Sequence, residues 1–304
     1  MTADEIISSA ANPLAKRIRQ LADRRQRRRE GAFVVHGIQP VWQAVEAGAE
    51  IDTLVVAPQL LRSPAAISLV AQQRAQGARV ARMSADLFAR LSDRDSPAGI
   101  AAIVRARPSA LGELAVGRGS VFVALHEIGN PGNLGTIIRT ADAAGGAGVI
   151  LVGHTTDPYD PAAVKASMGA LFHVPVARVP TVDELLGWAR AGAVTVATTS
   201  ARAGDSFWEA DLAPPLVFLL GSEGRGLPDG VLDRGELRLR IPIVGSAESL
   251  NLAMAAGLLL YEAHRRAFTG RARRPMTTVA AASSSRSTRE LSPAASITSP
   301  ATGA

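Results

Sequence analysis

Cysteine is absent from the 304-residue chain. No disulfide can form, and no thiolate is available to hold zinc or an iron–sulfur cluster. A secreted, disulfide-built protein is therefore excluded, and a cytoplasmic location is the expectation. Long apolar runs are also missing. The longest near the C-terminal end runs from Leu250 to Tyr261 and includes Asn251, well short of the ~20 residues a spanning helix needs. The opening MTADEIISSA carries early acids and no apolar segment, so it does not read as a signal peptide. Five histidines are scattered without metal-ligand spacing, and no metal is assigned. His126 and His154 follow predicted strands and read as structural or surface histidines.

Charge is present but uneven. The net charge is +6. Lys16, Arg17, Arg19, Arg24, Arg25, Arg27, Arg28 and Arg29, against Asp23 and Glu30, give +6 within residues 12–30 alone. From Arg271 onward five arginines and one glutamate give +4, which leaves −4 for everything else. A neutral-to-acidic body with two basic patches suits a polyanion such as RNA or DNA. The alternative is a solvated helix face and a charged tail.

With 47% hydrophobic and 20% charged residues, most of the chain is expected to fold. Residues 12–30 read as one basic helix with Asn12 as N-cap and Pro13 at its first position. "AFVVHG" (32–37) and "DTLVVAP" (52–58) read as strands around a helix, 39–47, that ends at Gly48. A strand and short helix within "GARVARMSADLFARLSD" and a strand at 99–106 complete an α/β unit over residues 1–106. Residues 107–118 read as a linker. A second domain, 119–270, alternates strands (120–125, 148–152, 174–179, 194–199, 216–220 and 241–243) with helices (134–144, 162–168, 182–191, 228–233 and the final one). Continuous apolar strands alternating with helices predict a mostly parallel sheet covered on both faces. Residues 271–304, rich in Ala, Ser, Thr and Arg without periodicity, read as a disordered basic tail.

In an open parallel sheet, ligands gather at the carboxyl ends of strands, and three polar, glycine-bearing loops fall there. The first is "HEIGNPGNLGTIIRTADAAG" (126–145), where Gly132 and Gly135 permit tight turning or close approach to a ligand. Asn133 alone would be an ordinary N-cap, and Arg139 alone a surface arginine. The second, "LVFLLGSEGRGLP" (216–228), has no Gly-Lys-Ser/Thr, and Gly221, Gly224 and Gly226 reverse the dinucleotide spacing. The third, "IPIVGSAESLNLAMAAGLLLYEAHRR" (241–266), is a proline-bearing strand, a polar turn and an apolar helix with Ser249 as N-cap.

Taken together, Asn133-Leu-Gly-Thr-Ile-Ile-Arg139-Thr, Leu220-Gly-Ser-Glu-Gly-Arg-Gly-Leu and Ile241-Pro-Ile-x-Gly-x-x-x-Ser249-Leu-Asn251 resemble, in order and spacing, the three motifs of the SpoU/TrmH family. These are RNA ribose 2′-O-methyltransferases of the SPOUT superfamily, and the likeness covers roughly residues 119–266. "REGAFVVHGIQPVWQAVEAG" resembles the signature of the ribosomal-protein-like RNA-binding domain found in that family, although His36 stands where an acid is usual. "LVGHTTDPYDPAAVKASMGALFHVPVARVP" further resembles actinobacterial ribosomal-RNA enzymes, including those that confer antibiotic resistance.

The resemblance implies a trefoil-knotted α/β domain, a homodimer and S-adenosylmethionine as methyl donor. It implies cofactor contacts from the backbone around Leu220, Gly221, Ile241 and Leu250, with Thr198 and Thr199 as neighbours. Arg139 matches the family's catalytic arginine, which can act across the dimer interface and would make the apolar 252–260 face partly interfacial. Asn133, Glu223, Ser249 and Asn251 match positions that shape the site and hold that arginine. The substrate is expected to be ribosomal RNA, with Lys16, Arg17, Arg19, Arg24, Arg25, Arg27 and Arg28 as RNA contacts. Alternatives are a tRNA 2′-O-methyltransferase, a non-catalytic RNA-binding protein on the same fold, and a nucleotide-dependent oxidoreductase, which the missing fingerprint disfavours.

Overall fold

The computed structural model of the chain describes residues 5–92, 96–202 and 204–272, the side chains of 268–272 excepted. Two sheets form. The first holds β1 (Ile6–Ile7), β2 (Ala32–His36), β3 (Ile51–Val56), β4 (Val80–Met83) and β5 (Ile100–Arg105) in the order β1-β4-β3-β5-β2. Its β5 runs antiparallel to both neighbours, and buried residues line both faces. The second holds β6 (Val121–His126), β7 (Gly148–Val152), β8 (Val176–Val179), β9 (Thr195–Thr199), β10 (Asp205–Ser206), β11 (Leu216–Leu220) and β12 (Leu237–Arg240) in the order β10-β12-β9-β11-β6-β7-β8. Every pair in it is parallel.

The wholly buried runs of β7 and β11 have the pattern of strands covered on two faces. Helices α6 (Pro131–Ala143) and α10 (Leu252–Ala272) close one face of the second sheet. Helices α8 (Val182–Ala191) and α9 (Asp229–Leu232) close the other. From β6 the chain moves outward through β7 and β8, then crosses to build β9, β11 and β12 on the opposite side. The order reverses between β6 and β11, and an open α/β sheet places its ligand at that crevice.

Several expectations need correction. The basic segment is two helices, α1 (Pro13–Gln20) and α2 (Arg24–Glu30). Asn12 caps the first, as its Asn-Pro pair suggested, but Asp23 interrupts the run by accepting a hydrogen bond from the Gln26 N–H at 3.1 Å. Ile241–Ile243 is not a strand. The last strand is β12, which pairs with β9 and β10 and stops before Pro242, a residue with no N–H to give an interior ladder. Helix α4 (Pro64–Ala75) and the two-residue strands β1 and β10 were not foreseen. The interval 107–118 is docked on the second sheet: Ser109 bridges Ala177 and Leu114 is buried. Residues 271 and 272 continue α10, and the remainder of the expected tail, 273–304, lies outside the described residues.

Near its C-terminal end α10 is tied to the loop after β10. Arg266 donates to the carbonyls of Phe207 at 2.9 Å, Trp208 at 2.7 Å and Ala210, and its Nε donates to Glu262 at 2.7 Å. Hydrogen bonding from Arg265, opposed by partial desolvation and reinforced by Arg266, lowers the Glu262 carboxyl from 4.5 to about 2. A carboxyl depressed in the folded state stabilises fully above its unfolded value and loses that contribution as pH falls through the folded one. The urea midpoint is therefore expected to decline from pH 4.5 toward pH 2, and Glu262→Gln to lack that component. Equal acid sensitivity of the two proteins would contradict this role for the clamp.

Candidate active site

Three loops converge where the second sheet reverses its order, and one carboxylate joins two of them. Glu223, in the loop after β11, accepts from the backbone N–H groups of Gly129 at 3.3 Å and Asn130 at 3.2 Å in the loop after β6. It also accepts from Asn133 Nδ2 at 3.1 Å, on the first turn of α6. Asn133 Oδ1 in turn accepts from Asn251 Nδ2 at 3.1 Å, just before α10. Asn251 Oδ1 accepts from the N–H groups of Ala253 at 2.9 Å and Met254 at 3.3 Å.

These bonds fix both amide orientations. Asn251 must turn its oxygen to two backbone donors, so its nitrogen faces Asn133. Asn133 must then turn its own nitrogen to the carboxylate. Partial desolvation pushes the Glu223 carboxyl up, but its own backbone N–H, Asn133, Gly129 and Asn130 outweigh that and hold it below the ordinary carboxylate range. An acceptor committed in this way is a poor proton abstractor. Glu223 is a clamp for the loops.

The caps differ from those expected. Asn130, not Asn133, caps α6 by accepting from the Asn133 N–H at 3.1 Å. Asn251, not Ser249, caps α10. Asn130-Pro131 carries the same cap-then-proline signal that located α1, so the sequence contained the clue. Ser249 is exposed and makes no hydrogen bond to the Asn133–Glu223 chain among the described residues.

The glycines divide into two roles. Gly135 is not a ligand-approach position: a Cβ there would lie 2.3 Å from the Ala163 carbonyl oxygen and 2.7 Å from Ala166 Cβ, because α6 packs against α7 (Pro161–Ser167). Gly221 sits at the end of β11, where a Cβ would lie 1.9 Å from the Gly226 carbonyl carbon and 2.2 Å from Leu227 N. Ser222 and Gly226 exchange both backbone hydrogen bonds, at 3.2 and 2.9 Å, and Gly226 takes φ +66°. Backbone atoms cannot swing aside as side-chain tips can. Gly221→Ala is expected to cost about 1–3 kcal/mol in urea denaturation, the usual range for overpacking. An alanine variant as stable as the parent would contradict the close packing.

Thr198 is fully buried, its hydroxyl facing the carbonyls of Leu232 at 2.8 Å and Leu237 at 3.2 Å. Its hydroxyl supports the strand ends. Thr199, partly exposed, donates to Leu219 O at 3.2 Å beside Leu220. Ile241–Ile243 is half-buried, and among the described residues, 241–250 make no backbone–backbone hydrogen bond; Pro242 has no N–H to give. Open amides and carbonyls on that segment, beside a glycine loop too tight for a Cβ, fit a ligand recognised through backbone polar groups, such as an adenine edge.

Arg139 lies on α6, exposed, six residues after Asn133 and therefore about 9 Å further along the axis and about 120° around it. It has no hydrogen bond or ion pair among the described residues, so it is not held by Asn133, Glu223, Ser249 or Asn251 of its own chain. On α10, Leu252, Ala253, Ala256, Leu259, Leu260 and Ala263 are buried within the chain. The large apolar residues left facing outward are Met254, Leu258 and Tyr261 at 62%, 41% and 52% exposure, spaced for one helix face.

The basic segment divides as well. Arg17 is paired with Glu30 at 2.8 Å and with Asp52 at 3.0 Å, and Arg27 is buried against Asp157. Neither is free for RNA. Lys16, Arg19, Arg25 and Arg28 are exposed. Arg24 reaches the Thr155 carbonyl at 3.1 Å.

Residues 120–261 match the model of the SpoU rRNA Methylase family, and residues 12–102 match that of the MRM3-like substrate binding domain. The chain is 35% identical over 257 residues to the 23S rRNA (uridine(2479)-2′-O)-methyltransferase of Streptomyces viridochromogenes, covering 83% of this chain and 88% of the relative. It is 31% identical over 258 residues to the 23S rRNA (guanosine(2553)-2′-O)-methyltransferase RlmP of Bacillus subtilis, covering 84% and 97%. The crystal structure of an AdoMet-bound rRNA methyltransferase from Sinorhizobium meliloti superposes with a TM-score of 0.79 at 36% identity, over 86% of this chain and 98% of that one.

Proposed function

The chain belongs to the SpoU rRNA methylase family, and on that premise we propose that it transfers a methyl group from S-adenosylmethionine to a ribose 2′-hydroxyl of ribosomal RNA. The observation that carries this reading is the convergence of Gly129–Asn133, Glu223 and Asn251 at the reversal point of a parallel sheet. When bound, S-adenosylmethionine supplies an electrophilic methyl on a sulfonium. The methyl–sulfur bond breaks as the methyl–oxygen bond forms, the sulfur leaves as a neutral thioether, and the hydroxyl proton passes to water.

Residues of this chain supply the rest. The backbone of Leu220, Gly221, Ile241 and Leu250 holds the cofactor, with Thr199 alongside. The Glu223 clamp keeps the loops after β6 and β11 together, and Asn251 ties the start of α10 to them. A hydroxyl is a weak nucleophile until its developing negative charge is stabilised. Guanidinium stays protonated in proteins, so Arg139 serves as an electrostatic partner, orienting the hydroxyl and an adjacent phosphate, rather than as a base.

A homodimer is part of the proposal. Arg139 is exposed and unattached to its own clamp, and Met254, Leu258 and Tyr261 give α10 an apolar outward face. A second copy covering that face would bring Arg139 to the neighbouring site. The reading also places the protein in the cytoplasm; no helix among the described residues is long and apolar enough to cross a membrane. Incubating rRNA and tRNA with methyl-labelled S-adenosylmethionine tests the activity, with label expected on rRNA and little on tRNA. Light scattering is expected to give twice the chain mass. Label confined to tRNA, or an active monomer, would overturn the corresponding part.

A further inference from the structure

A cavity of about 490 Å³ that shares no lining residue with the clamp lies at the seam between the two sheets' units. Arg24 and Arg28 of α2 enter it from one side, and Arg178 of β8 with the segment His154–Tyr159 from the other. Four arginines line it, counting the buried Arg27, against a single carboxylate, Asp157. Asp157 is already engaged by Arg27 at 2.8 Å. Arg178 is anchored to Thr155 Oγ1 and to the Thr156 carbonyl at 2.8 Å, while Arg24 meets the Thr155 carbonyl. Arg28 has no such partner among the described residues. Between the cations the wall is apolar, with Ala32, Leu151 and Pro158.

Three guanidiniums converging on one space repel each other, and the surroundings register it. Loss of solvent first, then Arg24 and, beyond an opposing effect of Asp157, Arg28 hold the Arg178 guanidinium below its ordinary value. An anion in that space relieves the repulsion. The volume is in the range of sites that enclose a small ligand, roughly 300–1,000 Å³, and a cationic rim around an apolar wall matches a phosphate carried on a sugar and base.

We propose that this seam cavity takes one phosphate-bearing nucleotide of the RNA substrate, its phosphate held jointly by Arg24, Arg28 and Arg178. This rests on the RNA methyltransferase reading and extends it. The RNA is gripped at a junction to which both domains contribute.

The test uses Arg28→Ala, which removes an exposed, unpartnered side chain, Arg178→Gln as the second arm, and Arg74→Ala on α4 as a control outside the cavity. Anisotropy with a labelled rRNA fragment is expected to show a salt slope lower by about one for Arg28→Ala, the signature of one lost phosphate contact. KM for RNA rises several-fold with kcat unchanged. Inorganic phosphate raises the thermal midpoint of the parent more than chloride does at equal ionic strength, and this difference shrinks in both cavity variants. Arg28→Ala and Arg178→Gln indistinguishable from Arg74→Ala in affinity and slope would overturn the proposal. So would adenosine monophosphate binding in the cavity while RNA affinity stays that of the parent. The parent's own methyl transfer is measured in parallel: if it fails the enzymatic reading fails, whereas normal transfer with unaffected cavity variants removes the seam site alone.

Discussion

Arg139→Ala lowers kcat for methyl transfer to RNA by about 10²–10³-fold, the usual loss when one pre-placed electrostatic donor is removed from a reaction centre. The fold is expected to survive intact. Arg139 is exposed on α6, while its neighbours Ile137 and Ile138 supply the buried face. No partner among the described residues is orphaned by its loss. Affinity for S-adenosylmethionine should also stay close to that of the parent, because the proposed cofactor contacts are backbone groups around Gly221 and Ile241, not Arg139. Arg139→Lys keeps the charge but not the planar fork, and recovers only part of the rate. A further consequence follows if the arginine serves the neighbouring subunit. Mixing Arg139→Ala chains with Gly221→Ala chains restores activity in the mixed dimers, since one site then has both an intact cofactor loop and an intact arginine. Full activity of Arg139→Ala would contradict the electrostatic role.

Asp157→Ala is expected to destabilise the protein by about 3–5 kcal/mol, the range for leaving one half of a buried ion pair without its partner. Arg27 is 3% exposed, and each of its three guanidinium nitrogens is engaged. Nε donates to Asp157 at 2.9 Å, Nη1 to the carbonyls of Leu21 at 3.1 Å and Ala22 at 2.7 Å, and Nη2 meets Asp157 at 2.8 Å and Asp160 at 3.4 Å. Asp157 also accepts from the Tyr159 N–H at 3.1 Å. Removing the carboxylate strands a buried guanidinium and loosens a turn at the seam. Replacing both charges, as Arg27→Met with Asp157→Leu, should recover much of the loss, because buried pairs exchanged for apolar residues of similar volume are often near neutral. Urea denaturation of the single and double variants measures this. A loss below about 1 kcal/mol for Asp157→Ala would place the pair among ordinary surface bridges.

The sequence was legible where a local signal and the tertiary answer agree. Helix α8 and strands β7 and β11 fall at their expected bounds, because continuous apolar runs and flanking caps leave few alternatives. It was misleading where two local signals compete. Ile241-Pro-Ile reads as an apolar strand, yet Pro242 cannot donate to a ladder, and the half-apolar Leu237–Arg240 takes the interior position instead. Asp23 inside a run of arginines caps a second helix, which a charge pattern alone does not reveal.

The candidate site was partly legible for a similar reason. Motif spacing brought Asn133, Glu223 and Asn251 to one list, and the structure joins them by hydrogen bonds. Asn130, Gly129 and the pairing of Arg27 with Asp157 depend on contacts between segments some 90 or 130 residues apart, and no periodicity encodes those. The same holds for Arg178, an unremarkable strand residue until α2 is laid beside it.

The central claim is that these loops direct a methyl group to a ribose oxygen of rRNA. Its most direct measurement is alkaline hydrolysis of rRNA treated with the protein and methyl-labelled S-adenosylmethionine, followed by separation of the products. A 2′-O-methyl group removes the nucleophile that alkali needs to cleave the adjoining phosphodiester, so the account predicts label in a hydrolysis-resistant dinucleotide, accumulating about 10²–10³-fold more slowly when Arg139→Ala is used. Label recovered on mononucleotides, as a methylated base, would contradict it.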